Sequence, residues 1–431
     1  MGAIEKIHEL NRFGSILGLE RMDKLLKLLS NPEENLKIIH VAGTNGKGST
    51  SRFIYEMLQA DGYKVGLYTS PFLEVFNERI EFDHQYISDH DLEKYTNLVF
   101  EKVNEMVEAG NDSPTEFEVV TAIAFLYFKE KKADYVVLEV GLGGRGDSTN
   151  VIKQPLATLI TSISLDHTDR LGDTLSQIAF EKAGIIKKGC PVISATDEVE
   201  ARNVIIGRAN ELEAPVYDAS KIDFRIKKSD IKGYVFDVDI LGKKYESLEI
   251  SMLGTHQVKN AITALCTLTL LIQNERIVLS DKAIYEGLKR AKQIGRFEIM
   301  KEDPYVILDG AHNPEGAKAL YDVVKNQFDN KKILMVVGIL EDKDIDSILD
   351  YFTSITNDFV ITEPSNPRKI EASQLAKRFT QRGLKSVVWK KPKDAVEFVK
   401  ACYSNYDVII FAGSLYMIGE IRGLIKDEEG R

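Results

Sequence analysis

Short β-rich runs alternate with longer amphipathic runs along most of the chain, and that alternation limits the possible folds more than any single motif. Strands that each lead into a helix come back parallel to one another, so the pattern predicts a mainly parallel sheet covered by helices. In the first part the predicted strands are KIIHVAG (37–43), KVGLYTS (64–70), DYVVLEVG (134–141), ATLITSIS (157–164) and CPVISA (190–195). Predicted helices fall at 49–61, 88–109, 115–131 and 174–187. Phe53, Met57 and Leu58 recur at helical spacing before Gly62 ends their run, and Ser88 with Asp91 reads as a capping box.

The texture changes after about residue 214. FRIKK, GYVFDVDI and KKYESLEI alternate over short lengths between turn residues, which predicts a small antiparallel patch. Helices at 256–273 and 281–291 follow. From residue 297 a second series begins: strands in PYVILDG, KILMVVGI, DFVITEP, SVVW and DVIIFAG alternate with helices from Pro314 and near 343–352, 371–381 and 393–404. At 431 residues the chain exceeds one ordinary core. The division expected is a first domain over 1–295, with a glycine-rich loop after its first strand, a mainly parallel sheet and the antiparallel patch, and a Rossmann-like α/β domain over 296–431. No short-period repeat is present, which excludes a solenoid.

A net charge of −10, from 66 acids against 56 bases, argues against a non-specific nucleic-acid binder. Three cysteines, Cys190, Cys266 and Cys402, are odd in number and widely spaced, as reduced thiols would be. No apolar run reaches ~18 residues and the N-terminus lacks a signal core, so a cytoplasmic protein without membrane contact is expected.

The first strand runs into TNGKGS and then into a helix. Glycines there let backbone N–H groups turn inward, the helix N-terminus offers partial positive charge, and Lys47 adds a full one. This is the context of a phosphate loop, although Val41 stands where the usual pattern has its first glycine and Gly48 separates Lys47 from Ser49. A second glycine pattern is a decoy. Gly141, Gly143 and Gly146 spell GxGxxG after a strand, with Asp166 further on, but DSTNVIKQP leaves no room for the crossover helix that a dinucleotide site requires.

Ligands of open α/β sheets gather beyond the carboxyl ends of the strands. Those ends carry Lys47 and Ser49, then Ser70, Glu139, Asp166 and His167. A carboxylate, a hydroxyl and an imidazole around a phosphate loop can hold Mg²⁺. Equally, Ser70 before Pro71 can initiate a turn, and His167 can cap a helix.

Together these segments resemble the folylpolyglutamate synthase and dihydrofolate synthase family of the Mur-ligase superfamily. The likeness is carried by GLERM (18–22), HVAGTNGKGS (40–49), GLYTSPFLEVFNERI (66–80), TEFEVVTAIAF (115–125), LEVGLGGRGDSTN (138–150), LDHTDRLG (165–172), EKAGIIK (181–187), GTHQVKNAITAL (254–265), GRFE (295–298), ILDGAHNPEG (307–316), GILEDKD (338–344) and AGSLY (412–416), in family order. The family spells its loop GTNGKGS, which accounts for the irregular pattern.

The resemblance implies that Gly46, Lys47, Gly48 and Ser49 cradle ATP phosphates and that Asn260, Arg296 and Asp309 contact the adenosine part, with the nucleotide between the two domains. It implies Mg²⁺ at two sites, with Ser70, Glu139 and His167 as ligands, and Lys182 as a carbamate. The chemistry is sensible, because an ammonium cannot ligate a cation whereas an N-carboxylated lysine can; a helix-surface lysine is the alternative. For the pterin-bearing substrate it points to GLERM, to Thr115, Glu116 and Phe117, and to Arg145, Gly146, Asp147 and Ser148, where GGRGDS replaces the more usual GGRLDA. His312 and Ser414 are implied for the second domain's part of the cleft, with a turn histidine and a helix-capping serine as the alternatives.

The activity implied is ATP-dependent ligation of L-glutamate to a tetrahydrofolate (poly)glutamate through an acyl phosphate, and also to dihydropteroate in a companion activity. Small-molecule substrates and a monomer are expected. Three other readings are a peptidoglycan-precursor ligase, which is expected to carry an extra N-terminal domain before its phosphate loop; a GTPase-type switch, for which no NKxD motif is present; and a dinucleotide oxidoreductase, resting on the decoy alone.

Overall fold

The computed structural model describes residues 2–10, 14 and 16–429. It divides into two compact units, one of Met1–Lys228, Val235–Ile250 and Val258–Ala291, the other of Ser229–Tyr234, Ser251–Gln257 and Lys292–Arg431.

In the first unit, Ile38–Ala42 (β1), Val65–Tyr68 (β2), Ile80–Phe82 (β3), Gln85–Tyr86 (β4), Tyr135–Glu139 (β5), Ala157–Ile160 (β6), Val192–Ser194 (β7) and Val216–Asp218 (β8) form one sheet. The order is β4-β3-β2-β5-β1-β6-β7-β8. From β2 to β8 all neighbours are parallel, while β3 and β4 add an antiparallel hairpin at one edge. β1, β5 and β6 are buried at every position, as continuous apolar strands covered on both faces must be. Later strands reach β1 on one side through β2 and β5 and on the other through β6, so the crevice beyond its C-terminal end is the switch point where such sheets bind ligands.

The helix after β1, Lys47–Ala60, begins at Gly46, whose φ of 84° is left-handed, and buries Phe53, Ile54, Met57 and Leu58. Its start two residues before the predicted one follows from that glycine, which permits the sharp entry. Ser88 caps Asp89–Glu108 by accepting from the Asp91 N–H at 3.0 Å. The run expected as one helix over 174–187 instead ends at Lys182 and continues as a 3₁₀ turn, Ala183–Ile185. Its cause is tertiary: a Cβ at Gly184 would lie 2.4 Å from the Cα of Arg145, so another loop presses on the turn. Helices Ala3–His8, Glu20–Leu28 and Val199–Glu211 were not foreseen.

The patch after residue 214 is Phe224–Asp230 (β9), Gly233–Ile240 (β10) and Lys243–Ile250 (β11), ordered β11-β10-β9. Two-residue links can join only antiparallel neighbours, as expected. The second unit's sheet is Glu298–Glu302 (β12), Tyr305–Asp309 (β13), Ile333–Val337 (β14), Phe359–Ile361 (β15), Ser386–Val388 (β16) and Val408–Ala412 (β17), ordered β12-β13-β17-β14-β15-β16. All pairs are parallel except β12 with β13, and that edge strand, just inside the second domain, was not among the predicted ones. No helix among the described residues is long and apolar enough to cross a membrane.

The phosphate-loop helix is backed by Asp281–Arg290, which approaches so closely at Gly287 that a Cβ there would lie 2.4 Å from the Cα of Met57. Gly287→Ala must push the two helices apart, so we expect a loss of about 1–3 kcal/mol. Thermal unfolding of the variant checks this, and an unchanged Tm would contradict the contact.

Candidate active site

The loop between β1 and its helix is held by segment 161–164, which follows β6. Gly43 has φ 149°, and a Cβ on it would lie 1.7 Å from Thr161 Oγ1, so no larger residue fits. Thr161 donates to the Asn45 carbonyl at 2.7 Å, and the Thr44 N–H donates to the Ser162 carbonyl at 2.7 Å. Thr44 Oγ1 accepts from the Ser164 N–H at 3.1 Å. On the other side a Cβ at Gly46 would meet Asn260 Oδ1 at 2.5 Å, which places Asn260 against the loop. Gly48 and the buried Ser49 lie in the first turn of the helix. Lys47 Nζ folds back to donate to the Gly43 and Thr44 carbonyls, both at 3.2 Å.

Lys182 reaches the same place from the end of its helix. Its side chain is buried, and its Nζ donates to the Gly43 carbonyl at 2.7 Å. The helix-surface alternative is thereby excluded. Burial, and secondarily the charge of Lys47, push its ammonium down to about 7, so near neutral pH a large fraction is the free amine.

Strand register brings the other first-unit candidates to this edge. Val41 pairs with Glu139 and Ala42 with Ile160, while Tyr68, two residues before Ser70, pairs with Leu138. Glu139 is buried and Ser70 half-buried. His167 lies beyond β6 with a left-handed φ of 51°; its N–H donates to Asp166 Oδ1 at 2.9 Å. It is the N-cap residue of the short helix Thr168–Leu171, but its side chain makes no capping bond. Among the described residues no three His, Cys, Asp or Glu side chains form a metal cluster. The carboxylate and hydroxyl oxygens of Glu139 and Ser70 suit a hard cation whose remaining ligands come from phosphates and water.

The glycine-rich loop after β5 makes no dinucleotide turn. It passes through a 3₁₀ turn, Ser148–Val151, directly to β6. Arg145 is locked to the Lys182 segment: its N–H donates to the Glu181 carbonyl at 2.8 Å, and its guanidinium lies 3.7 Å from the centroid of Phe180. Gly146 accepts from the Gly18 N–H at 3.0 Å, tying GLERM to the loop. The Asp147 carboxylate faces inward, accepting from the N–H of Leu142 at 2.8 Å and from the N–H and hydroxyl of Thr149 at 3.0 and 2.6 Å. Ser148 Oγ is 2.9 Å from Thr121 Oγ1. These bonds make Asp147 and Ser148 builders of the loop.

Thr115 forms a capping box with Glu118, accepting from its N–H at 3.3 Å while the Glu118 carboxylate accepts from the Thr115 N–H at 2.7 Å. Glu116 is 2.9 Å from His8 Nδ1 and 3.6 Å from Arg79. Phe117 packs where a Cβ on Gly141 would come within 2.4 Å of its ring, and it lies 5.9 Å from Tyr68.

In the second unit the candidates cluster beyond β13 and β17, whose ends Asp309 and Ala412 are in register. Asp309 accepts from the N–H groups of Phe297 and Ala311, each at 2.8 Å. Burial raises its carboxyl, while Arg296 and these bonds oppose that. Arg296 donates to the Gly310 carbonyl at 3.3 Å, and His312 Nδ1 lies 2.7 Å from the same oxygen, so that nitrogen carries the proton. Ser414, at the start of Leu415–Glu429, is buried and its hydroxyl has no partner; the capping alternative lacks its bond.

Sequence reasoning missed Thr161, Ser162 and Ser164 as the backing of the phosphate loop, and His40 and Thr149 beneath the glycine-rich loop. Hydroxyl residues in ATLITSIS read only as strand formers, and a strand histidine carries no spacing signal.

A glycine-rich strand–loop–helix at the switch point of one α/β unit, in a chain that carries a second, mainly parallel α/β unit, is the organisation of a nucleotide-dependent enzyme of the Mur-ligase type. Residues 41–268 match the Mur ligase middle domain and 295–415 the Mur ligase glutamate ligase domain. The dihydrofolate synthase/folylpolyglutamate synthase of Bacillus subtilis is 39% identical, over 97% of each chain. Among solved structures, Mycobacterium tuberculosis folylpolyglutamate synthase complexed with ADP and AMPPCP superposes with a TM-score of 0.90 at 30% identity, covering 98% of both chains. Escherichia coli FolC in complex with DHPP and ADP matches at 0.88 and 29% identity, covering 100% of this chain and 99% of that one. The chain belongs to the dihydrofolate synthase/folylpolyglutamate synthase family of ATP-dependent Mur ligases.

Because Thr161 occupies the space where a side chain at Gly43 would go, Gly43→Ala must unseat the loop. We expect ADP affinity to fall at least about tenfold, the loss of roughly one charge-assisted hydrogen bond. Titration calorimetry checks this, and wild-type affinity would contradict the assigned loop.

Proposed function

We propose that this protein joins L-glutamate to the terminal γ-carboxylate of a tetrahydrofolate (poly)glutamate, with ATP as phosphate donor, and that dihydropteroate is a second acceptor. What carries the proposal is the convergence of Lys47 and Lys182 on the Gly43 carbonyl inside a chain related end to end to such ligases. Lys47, a full positive charge at the loop, suits a reaction that gathers anions, and Lys182, whose burial lowers its ammonium to about 7, suits carboxylation beside it. The second acceptor is supported by the Escherichia coli neighbour complexed with DHPP and by the double name of the Bacillus subtilis relative.

A carboxylate is a poor electrophile until phosphorylation gives it a leaving group. In the proposed sequence the γ-phosphate passes to the substrate carboxylate, and the glutamate amine attacks the acyl phosphate to yield an amide, ADP and phosphate. Gly46, Gly48 and Ser49 at the helix N-terminus hold the phosphates, and Lys47 turns from the Gly43 carbonyl to the transferred group, where it offsets developing charge. Asn260, beside Gly46, contacts the nucleoside, and the family resemblance gives Arg296 and Asp309 the same task. The buried Ser414 hydroxyl at a helix N-terminus suits a carboxylate of the incoming glutamate, and His312, with Nδ1 held by Gly310, presents Nε2 to the same edge. Arg145, Gly146, Asp147 and Ser148 with Thr115, Glu116 and Phe117 frame the pterin, Phe117 by ring contact and Asp147 and Ser148 by fixing the loop.

Ser70, Glu139 and His167 would hold Mg²⁺, together with Lys182 once N-carboxylated, and the ion would supply Lewis-acid stabilisation of phosphate charge. Carboxylation needs a neutral amine, and the burial of Lys182 provides one near pH 7. The neutral fraction falls as pH drops below about 7, so the modified form is favoured on the alkaline side.

Pure protein with ATP, Mg²⁺ and labelled glutamate is expected to incorporate label with tetrahydrofolate and with dihydropteroate. Failure with both would sink the proposal, and incorporation into UDP-muramoyl substrates would favour the peptidoglycan alternative. Lys182→Ala should lose about 100-fold in turnover, typical of removing one electrostatic stabiliser. With ¹³C-bicarbonate the wild type should show a carbamate carbon resonance that the variant lacks; a resonance persisting in the variant would refute the assignment.

A further inference from the structure

His40 lies in β1, three residues before Gly43, and is fully buried. Its Nε2 is 2.9 Å from Thr149 Oγ1, and that hydroxyl is 2.6 Å from Asp147 Oδ1. The Thr149 N–H reaches the same oxygen at 3.0 Å, while Asp147 Oδ2 takes the Leu142 N–H at 2.8 Å. A threonine hydroxyl has one proton and an ionised carboxylate only accepts. The proton therefore points from Thr149 to Asp147, and Thr149 accepts from a protonated Nε2 of His40.

The opposite nitrogen, Nδ1, is buried without a partner, and burial pushes the imidazole down to about 3, so the ring is neutral with its one proton committed. An unsatisfied buried nitrogen costs stability that an apolar strand residue would not. What His40 contributes in return is one directed bond to the loop after β5.

We propose that His40 is a positioning residue for the pterin-bearing substrate: through Thr149 and Asp147 it makes the strand that launches the phosphate loop also set the shape of the loop Gly141–Ser148. The proposal deepens the folate reading and rests on it. Asp147 sits between Gly146 and Ser148, and Gly146 in turn accepts from Gly18 at the start of GLERM. A displacement of the Asp147 carboxylate thus moves the segments assigned to the substrate, while the phosphate loop keeps its separate backing from Thr161, Ser162 and Ser164.

The expected signature is a split between substrates. Thr149→Val removes the hydroxyl and should raise KM for tetrahydrofolate or dihydropteroate about tenfold, the scale of losing a hydrogen bond to a charged acceptor, with KM for ATP within about twofold. Thr149→Ser and His40→Gln, each keeping a polar group in place, should recover to within about threefold of wild type. Where Thr149→Val folds poorly, the double variant His40→Leu with Thr149→Val serves, since replacing both partners by apolar groups can be nearly neutral for folding. A folded variant whose folate KM stays within twofold of wild type would overturn the proposal, as would parallel increases for folate and ATP. If wild type ligates glutamate to neither acceptor, the folate reading fails on its own, and amide hydrogen exchange then decides the loop relay. Faster exchange at Leu142 and Thr149 in Thr149→Val supports it, and unchanged protection refutes it.

Discussion

The carbonyl of Gly43 accepts from two lysines, and much of the first unit can be understood as the means of bringing them there. A buried ammonium is costly without compensation, and two that share one acceptor oppose each other. The arrangement is relieved in two chemically distinct ways: Lys182 gives up its proton, or an anion arrives to take Lys47. An incoming anion gives Lys47 a full counter-charge in place of the two neutral carbonyls it meets in the folded protein.

Holding that carbonyl in place requires close backbone approaches. At Gly43 the space a side chain would fill belongs to Thr161, at Gly46 it belongs to Asn260, and at Gly184 it belongs to Arg145. Each contact joins segments more than a hundred residues apart or from different loops, and each depends on the strand order that sets β1 between β5 and β6. The second unit repeats the device: the Gly310 carbonyl accepts from Arg296 and His312 beside the end of β13.

The architecture was legible because its signals are local. Apolar strands, amphipathic helices and the cap at Ser88 state themselves within a few residues. The strand-end rule gathered Lys47, Ser70, Glu139 and His167 correctly to one edge, since it needs only the ends of parallel strands. Burial and partnership were not legible. Lys182 reads as a surface lysine until the loop at Arg145 is folded over its turn, and nothing in GGRGDS announces that the Asp147 oxygens are engaged by Leu142 and Thr149. The same holds for His40, a polar residue in an apolar strand whose hydrogen-bond partner Thr149 lies 109 residues away. Thr115 shows how a local signal can be overlooked for a distant one, since its capping box with Glu118 is spelled out in TEFE.

An overall charge of −10 is a poor guide to a site that must gather anions. The field at each site is set by nearby groups, because charges beyond about 8–10 Å are largely screened in water while buried ones are not. In the first unit the local sign comes from Lys47 and the N-terminus of Lys47–Ala60. In the second it comes from Arg296 and from the N-terminus of Leu415–Glu429, where Ser414 leaves a buried hydroxyl without a partner. The acids that do stand at these sites, Glu139 and Asp166 in the first and Asp309 in the second, are few beside those spread over the rest of the chain. Global acidity and local anion binding therefore coexist here because they act over different distances.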